Sequence, residues 1–203
     1  MIGARYQVPP LFGLVLAGGR STRMGADKAA LCYRGETQLD SSLRLLRPWC
    51  ARIYCSIRPE QASRPPYSWV AQIHDRFDAG PLGGVLCAME AYPDASWLVI
   101  ACDLPYLEPA TVHDLVLARN ARRPVTAFLR DDGQPEPLCA IYEPMSQVFL
   151  AVEFHSGRGS LRASLGRANA NLLTLAERWR LESVNCPEER DVARRKLEGE
   201  AAG

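Results

Sequence analysis

The sequence predicts an α/β fold, a three-layer sandwich in which a mostly parallel sheet lies between helices on both faces. Three observations carry that prediction. Short apolar runs of strand length alternate with segments of helical periodicity. The run Trp97–Cys102 is apolar throughout, as a central strand covered on both faces requires. The segments richest in glycine and charge follow directly on strands, where open parallel sheets place their ligands.

In chain order, Leu11–Leu16 reads as a buried strand and Ala30–Tyr33 as a short extended piece before a turn at Arg34-Gly35-Glu36. Leu39, Leu43, Leu46 and Cys50 recur at helical spacing, so 39–49 is expected to be an amphipathic helix. Arg52–Ile57 and Trp69–Ile73 read as strands, separated by a proline-bearing loop. A glycine-rich loop over 75–84 leads into a helix at Val85–Tyr92. Pro109 opens a further helix, with Val112, Leu115 and Val116 on one side. Val125–Leu129 and Leu138–Tyr142 read as strands, with turn residues at 131–135 between them. Met145–His155 and Ser160–Leu165 read as helices, Leu172–Leu175 and Leu181–Val184 as extended pieces, and Pro187 as the start of a last, charged helix.

Length and charge narrow the classes. A chain of 203 residues fits one domain, 1–203, with a core over about 11–190 and frayed tails. The net charge of +1 gives no global field to recruit nucleic acid or anionic lipid, so any polyanion site is local. No apolar run is long enough to span a membrane, and Met1–Pro10 lacks the apolar core of a signal peptide. Seven cysteines, at 32, 50, 55, 87, 102, 139 and 186, form no Cys-x-x-Cys pair. Several lie in apolar runs, which reads as buried free thiols in a reducing cytoplasm. The basic residues are 22 arginines and two lysines, Lys28 and Lys196. Lysine is a compact point charge and arginine a planar fork, so a lone lysine beside a glycine-rich loop stands out.

Three loops carry the candidate chemistry. The first, Leu16-Ala17-Gly18-Gly19-Arg20-Ser21-Thr22-Arg23-Met24-Gly25-Ala26-Asp27-Lys28, follows the first strand at once. Its glycines allow close backbone approach, consecutive amides can cup an anion, and Arg20, Arg23 and Lys28 add positive charge, as a triphosphate requires. It is neither a Walker A sequence nor a dinucleotide fingerprint. The second loop holds Asp75, Gly80, Gly83 and Gly84. It reads as a platform for a base or ribose, or as a tight strand-to-helix connection. In the third, Cys102-Asp103-Leu104-Pro105, Asp103 ends the most apolar strand. Taken alone it reads equally as a turn residue. Beside phosphates, its carboxylate is the hard oxygen ligand that Mg2+ takes. With no Ser/His or Cys/His pair evident, the three loops point to displacement at phosphorus.

Leu16–Lys28 matches the pattern Leu-Ala-Gly-Gly-x-Ser-x-Arg-Met-Gly-x-Asp-Lys and so resembles the molybdenum cofactor guanylyltransferases, within the nucleotidyltransferase superfamily. Gly80–Gly84 is similar to that family's Gly-Pro-Leu-x-Gly loop, and Cys102–Pro105 to its Cys-Asp-x-Pro signature. Val184–Glu189 is similar to its Asn-x-Asn-Thr-Pro-Glu-Glu stretch. The resemblance implies a Rossmann-like sheet of the nucleotide-diphospho-sugar transferase type. It implies that Leu16, Ala17, Gly18 and Gly19 cradle GTP and that Lys28 and Arg23 hold the phosphates. Asp75, Gly80 and Gly83 would lie along the nucleotide, Asp103 would bind both nucleotide and Mg2+, and Asn185 would lie near the pterin. The implied reaction transfers GMP from GTP to molybdenum-molybdopterin and releases pyrophosphate. Transient contact with cofactor-delivering and molybdoenzyme proteins is implied as well. A cytidylyltransferase of the same cofactor and a non-catalytic GTP-binding module are the alternatives. Two departures stand out: Cys55-Ser56-Ile57 where relatives can offer an Asn, and Ser183 and Cys186 in the Asn-x-Asn-Thr stretch.

Overall fold

The structure, a computed structural model, describes residues 7–19, 27–157 and 160–200. Strand β1 (Leu11–Leu16) has the bounds its apolar run predicts. A 3-10 turn at Lys28–Ala30 leads to a small antiparallel ribbon of β2 (Cys32–Tyr33) and β3 (Glu36–Thr37). Helix α1 (Gln38–Leu46) is capped by Thr37, whose hydroxyl accepts from Asp40 N, and it ends before Pro48 rather than at 49. Strand β4 is Arg52–Ile57, and β5 is Gln72–His74. The strand expected at 69–73 starts later, because Tyr67–Trp69 closes a 3-10 turn.

Helix α2 (Pro81–Ala91) begins four residues before the expected start. Gly80 takes φ +57°, and Pro81 supplies the preset φ of a first helical position, so Gly83 and Gly84 belong to the helix rather than to the loop. Strand β6 (Ser96–Ala101) is buried at every position, and α3 (Pro109–Leu117) follows. Strands β7 (Val125–Leu129) and β8 (Pro135–Tyr142) form a hairpin, followed by α4 (Ser146–His155), α5 (Leu161–Arg167) and β9 (Asn171–Thr174). The stretch 181–184 contains no strand; Leu181 closes a 3-10 turn, Arg178–Leu181. Helix α6 (Pro187–Glu200) runs past 198.

The main sheet has the order β5-β4-β1-β6-β8-β7-β9. Strand β8 is antiparallel to both neighbours and every other pairing is parallel, so the sheet is mostly parallel as expected. Side chains alternate between its two faces. Val15, Leu98, Ile100 and Ile141 pack with α1 and α3, while Leu14, Trp97, Val99 and Tyr142 pack with α2, α4 and α5. These residues are fully buried, each contributing ~1.5–3 kcal/mol of apolar burial. A third cluster joins Tyr33, Tyr106 and Val184 to Ala193 and Leu197 of α6, so packing extends beyond 190. Trp179 flanks it, with the Lys196 ammonium 3.3 Å and the Arg180 guanidinium carbon 4.0 Å from its ring centre.

At the amino ends of the strands a buried charge pair closes the sheet. Arg119 Nε donates to Glu143 Oε1 at 2.7 Å, and its Nη2 donates to Ser96 Oγ and to the Pro9 carbonyl. Glu143 is fully buried. All seven cysteines are free: 55, 87, 102 and 139 are buried, as read from the sequence, whereas Cys32 is exposed. Among the described residues no helix is long and apolar enough to cross a membrane.

Candidate active site

The carboxyl ends of β1, β4 and β6 open onto a cleft of about 520 Å3. Leu16, Gly18 and Gly19 form its β1 wall, Ser56 and Arg58 the β4 wall, and Ala101, Cys102 and Asp103 the β6 wall. Asp75, Gly80 and Gly84 close it on the α2 side. The walls stand close because two glycines of α2 lack side chains. A Cβ at Gly84 would lie 2.6 Å from Ser56 Oγ, and one at Gly83 would lie 2.7 Å from Asp75 Oδ1. The Asp75 carboxylate also accepts from Phe77 N at 3.0 Å.

Lys28 lies at the rim. Its ammonium donates to Asp103 Oδ2 at 2.9 Å and to Asn185 Oδ1 at 2.6 Å. The Lys28 and Asp103 side chains are each less than a fifth exposed. Asn185 reaches Lys28 because Val184 N donates to the Asp103 carbonyl, which seats the 184–185 backbone on the β6 turn. Its own amide donates to Glu189 Oε2 at 2.6 Å, and its side-chain nitrogen donates to Ser183 Oγ. Asp103 Oδ1 is buried without a hydrogen-bond partner among the described residues. Such an acceptor is costly to leave unsatisfied and suits a cation or a donor. Cys102, beside it, is no nucleophile: burial first, then the Asp103 charge, pushes its thiol well up, so it stays protonated.

Asn185 also borders a second cleft, of about 780 Å3, lined by Tyr106, Trp179, Arg130, Arg178 and Val192. Lys28, Asp103 and Asn185 therefore stand where two clefts meet.

Of the residues singled out by sequence, Leu16, Gly18, Gly19, Asp75, Gly80 and Asp103 line the first cleft. Ala17 lies one layer behind, with its amide committed to the Ser56 carbonyl at 3.0 Å. Gly83 sits behind Asp75. Arg23 lies outside the described residues. Ser56, in the Cys55-Ser56-Ile57 strand end noted as a departure, is a wall residue, whereas Arg58 and Leu138, and Asp27 with its partners Tyr67 and Gln61, are not singled out by the sequence. For Arg58 a signal exists, since it directly follows the carboxyl end of β4.

A glycine-walled cleft at the carboxyl ends of a mostly parallel sheet, with a lysine and an aspartate paired at its mouth, is the arrangement of a nucleotide-binding α/β fold. More particularly, residues 13–171 match the MobA-like NTP transferase domain, and the chain belongs to that family. It is 37% identical to the probable molybdenum cofactor guanylyltransferase of Opitutus terrae, covering 92% of this chain and 96% of that protein. It is 33% identical to the molybdenum cofactor biosynthesis bifunctional protein of Synechocystis sp. over 89% of this chain, but spans only 52% of that longer protein. A solved structure, molybdopterin-guanine dinucleotide biosynthesis protein A from Archaeoglobus fulgidus, superposes with a TM-score of 0.77 at 21% identity. That superposition covers 93% of this chain and 99% of the other, and establishes the fold.

Proposed function

We propose that the chain is a molybdenum cofactor guanylyltransferase, which transfers GMP from GTP to molybdenum-molybdopterin. The observation that carries this reading is the placement of Lys28, paired to Asp103 and Asn185 where two clefts meet. A two-substrate transfer needs its cation between its sites. The 37% identity to a probable guanylyltransferase over nearly the full length of both chains supports the choice of GTP.

In this reading the first cleft takes GTP and the second takes the pterin. A terminal phosphate oxygen of the pterin attacks the α-phosphorus in line; the new P–O bond forms as the bond to the β-phosphate oxygen breaks, and pyrophosphate leaves. A phosphate nucleophile is already ionised near neutral pH, so no general base is required. The Lys28 ammonium exchanges its present acceptors for phosphate oxygens and stabilises the charge that develops on the leaving group. Arg23 is assigned to the same pyrophosphate.

Asp103 is the proposed ligand of Mg2+. Its buried, unpartnered Oδ1 fits that part. Among the described residues no group of three or more His, Cys, Asp or Glu could hold a metal, so the remaining positions fall to phosphate and water. When bound, magnesium neutralises phosphate charge. Leu16, Gly18 and Gly19 orient the nucleotide through the backbone, while Asp75, Gly80 and Gly83 fix the α2 side. The seven free thiols support a reducing, cytoplasmic setting.

The deciding measurement is pyrophosphate release with GTP or CTP, with and without molybdenum-molybdopterin. GTP-dependent release that needs the pterin is expected, and Asp103→Ala should abolish it while the protein stays folded. Release with CTP alone, or undiminished release by Asp103→Ala, would refute the assignment.

A further inference from the structure

Ala17, just after β1, and Asp27, the cap of the Lys28–Ala30 turn, converge on one buried phenol. Tyr67 Oη stands 2.7 and 2.8 Å from the two carboxylate oxygens of Asp27, and 3.5 Å from the Ala17 carbonyl. Gln61 Nε2 lies 3.4 Å from Asp27 Oδ2 and 3.5 Å from the same carbonyl. Tyr67 is 1% exposed and lines neither cleft. A phenol has one proton to give, and the short distances assign it to the carboxylate, as a charge-assisted bond. Asp27 Oδ1 accepts in turn from Ala29 N at 3.1 Å and so caps the turn Lys28–Ala30. That turn launches the Lys28 side chain toward Asp103 and Asn185.

We propose that Tyr67 is a positioning residue for Lys28: acting through the Asp27 carboxylate, it fixes the turn that aims the ammonium at the nucleotide phosphates. The proposal rests on the nucleotidyltransferase reading and adds to it a residue far along the chain. The phenol is suited to the part. Burial first, then the hydrogen bond to Asp27, holds its ionisation far above the usual tyrosine range, so it remains the donor at every working pH. Without that proton Asp27 retains, among the described residues, the Ala29 amide and the longer Gln61 contact. The turn then loses its fixed geometry and Lys28 loses its aim.

The test is a thermodynamic cycle read by calorimetric titration with GTP in the presence of magnesium. The four proteins are wild type, Tyr67→Phe, Lys28→Ala and the double variant. Tyr67→Phe should weaken GTP binding about tenfold, the size of one charge-assisted hydrogen bond. In the Lys28→Ala background the same change should cost nothing further, since there is no ammonium left to aim. A residue that merely stabilises the fold would lower the melting temperature and weaken binding alike in both backgrounds. Wild-type affinity in Tyr67→Phe, or equal losses in the two backgrounds, would overturn the proposal. Asp27→Asn, which keeps the shape and removes the charge, carries the same cycle if Tyr67→Phe fails to fold. Failure of the wild type itself to bind GTP would overturn the functional reading on which the proposal stands.

Discussion

Replacing Gly84 with alanine sets two opposed effects against each other at the floor of the first cleft. In a helix interior alanine is favoured over glycine by ~1 kcal/mol. Against this, the new Cβ would stand 2.6 Å from Ser56 Oγ and 2.9 Å from Leu16 Cδ2. The leucine methyl is the end of a flexible side chain and can give. Ser56 is 3% exposed, and its carbonyl is held by the Ala17 amide, so β4 cannot easily retreat. Overpacking of this kind costs ~1–3 kcal/mol, so the clash should at least cancel the helix gain and leave a net loss of ~0–2 kcal/mol. Relief comes by moving α2 off the strand ends, which widens the cleft, so GTP affinity should fall with stability. Ser56→Ala removes the offending oxygen and leaves its Cβ at an ordinary 3.4 Å. The double variant should therefore recover the helix gain of ~0.5–1 kcal/mol and most of the affinity. Urea unfolding and GTP titration read both quantities. A Gly84→Ala protein more stable than wild type by the full helix gain, with unchanged GTP binding, would refute the reasoning.

Three further outcomes are expected. Lys28→Ala should lower kcat/KM by ~2–4 kcal/mol of transition-state stabilisation while the melting temperature barely moves, and Lys28→Arg should not restore it, because a planar fork cannot replace a compact charge. Glu143→Ala leaves the largely buried Arg119 without its carboxylate and should cost ~3–5 kcal/mol in chemical denaturation. GTP affinity should be untouched there, because the pair lies at the opposite ends of the strands. Tyr33, whose buried hydroxyl has no partner among the described residues, is pushed from 10.0 up to about 12, chiefly by burial. The folded phenol keeps its proton where the unfolded one has lost it, so this contribution is complete below pH 10 and disappears as pH rises toward 12. Tyr33→Phe should be neutral or slightly stabilising at pH 7 and should flatten that alkaline loss in a melting series.

The strand bounds of β1 and β4 are legible in the sequence because each is a short, largely apolar run, closed by Gly18-Gly19 just past β1 and by Arg58 after β4. The start of α2 was hidden: Gly83 and Gly84 look like loop residues, and only Pro81 after a left-handed Gly80 marks the helix. The reversed direction of β8 leaves no trace in its apolar pattern, although the short turn at 131–134 is compatible only with a hairpin. At the site, Lys28 and Asp103 stood out because their types and flanking glycines carry chemistry. Asp27 lay inside the same motif, yet its part depends on Tyr67, forty residues away along the chain and invisible to any local reading. Leu181–Val184 was apolar enough to suggest a strand. Leu181 instead packs into the α1/α3 side of the core and Val184 into the third cluster, and the Val184 amide is held by the Asp103 carbonyl.

The reversed β8 has an architectural consequence. A parallel crossover from β7 would have carried the chain to the far ends of the strands and back. The hairpin instead returns it at once on the ligand side, so that Arg130, Asp131 and Asp132 form a wall of the second cleft while Leu138 borders the first. Loops of this kind tolerate insertion and substitution without disturbing the sheet that bears them. The hairpin wall of the second cleft is thus a separable module: its length and charge can change while the floor of the first cleft, built from strand ends and α2, stays in place.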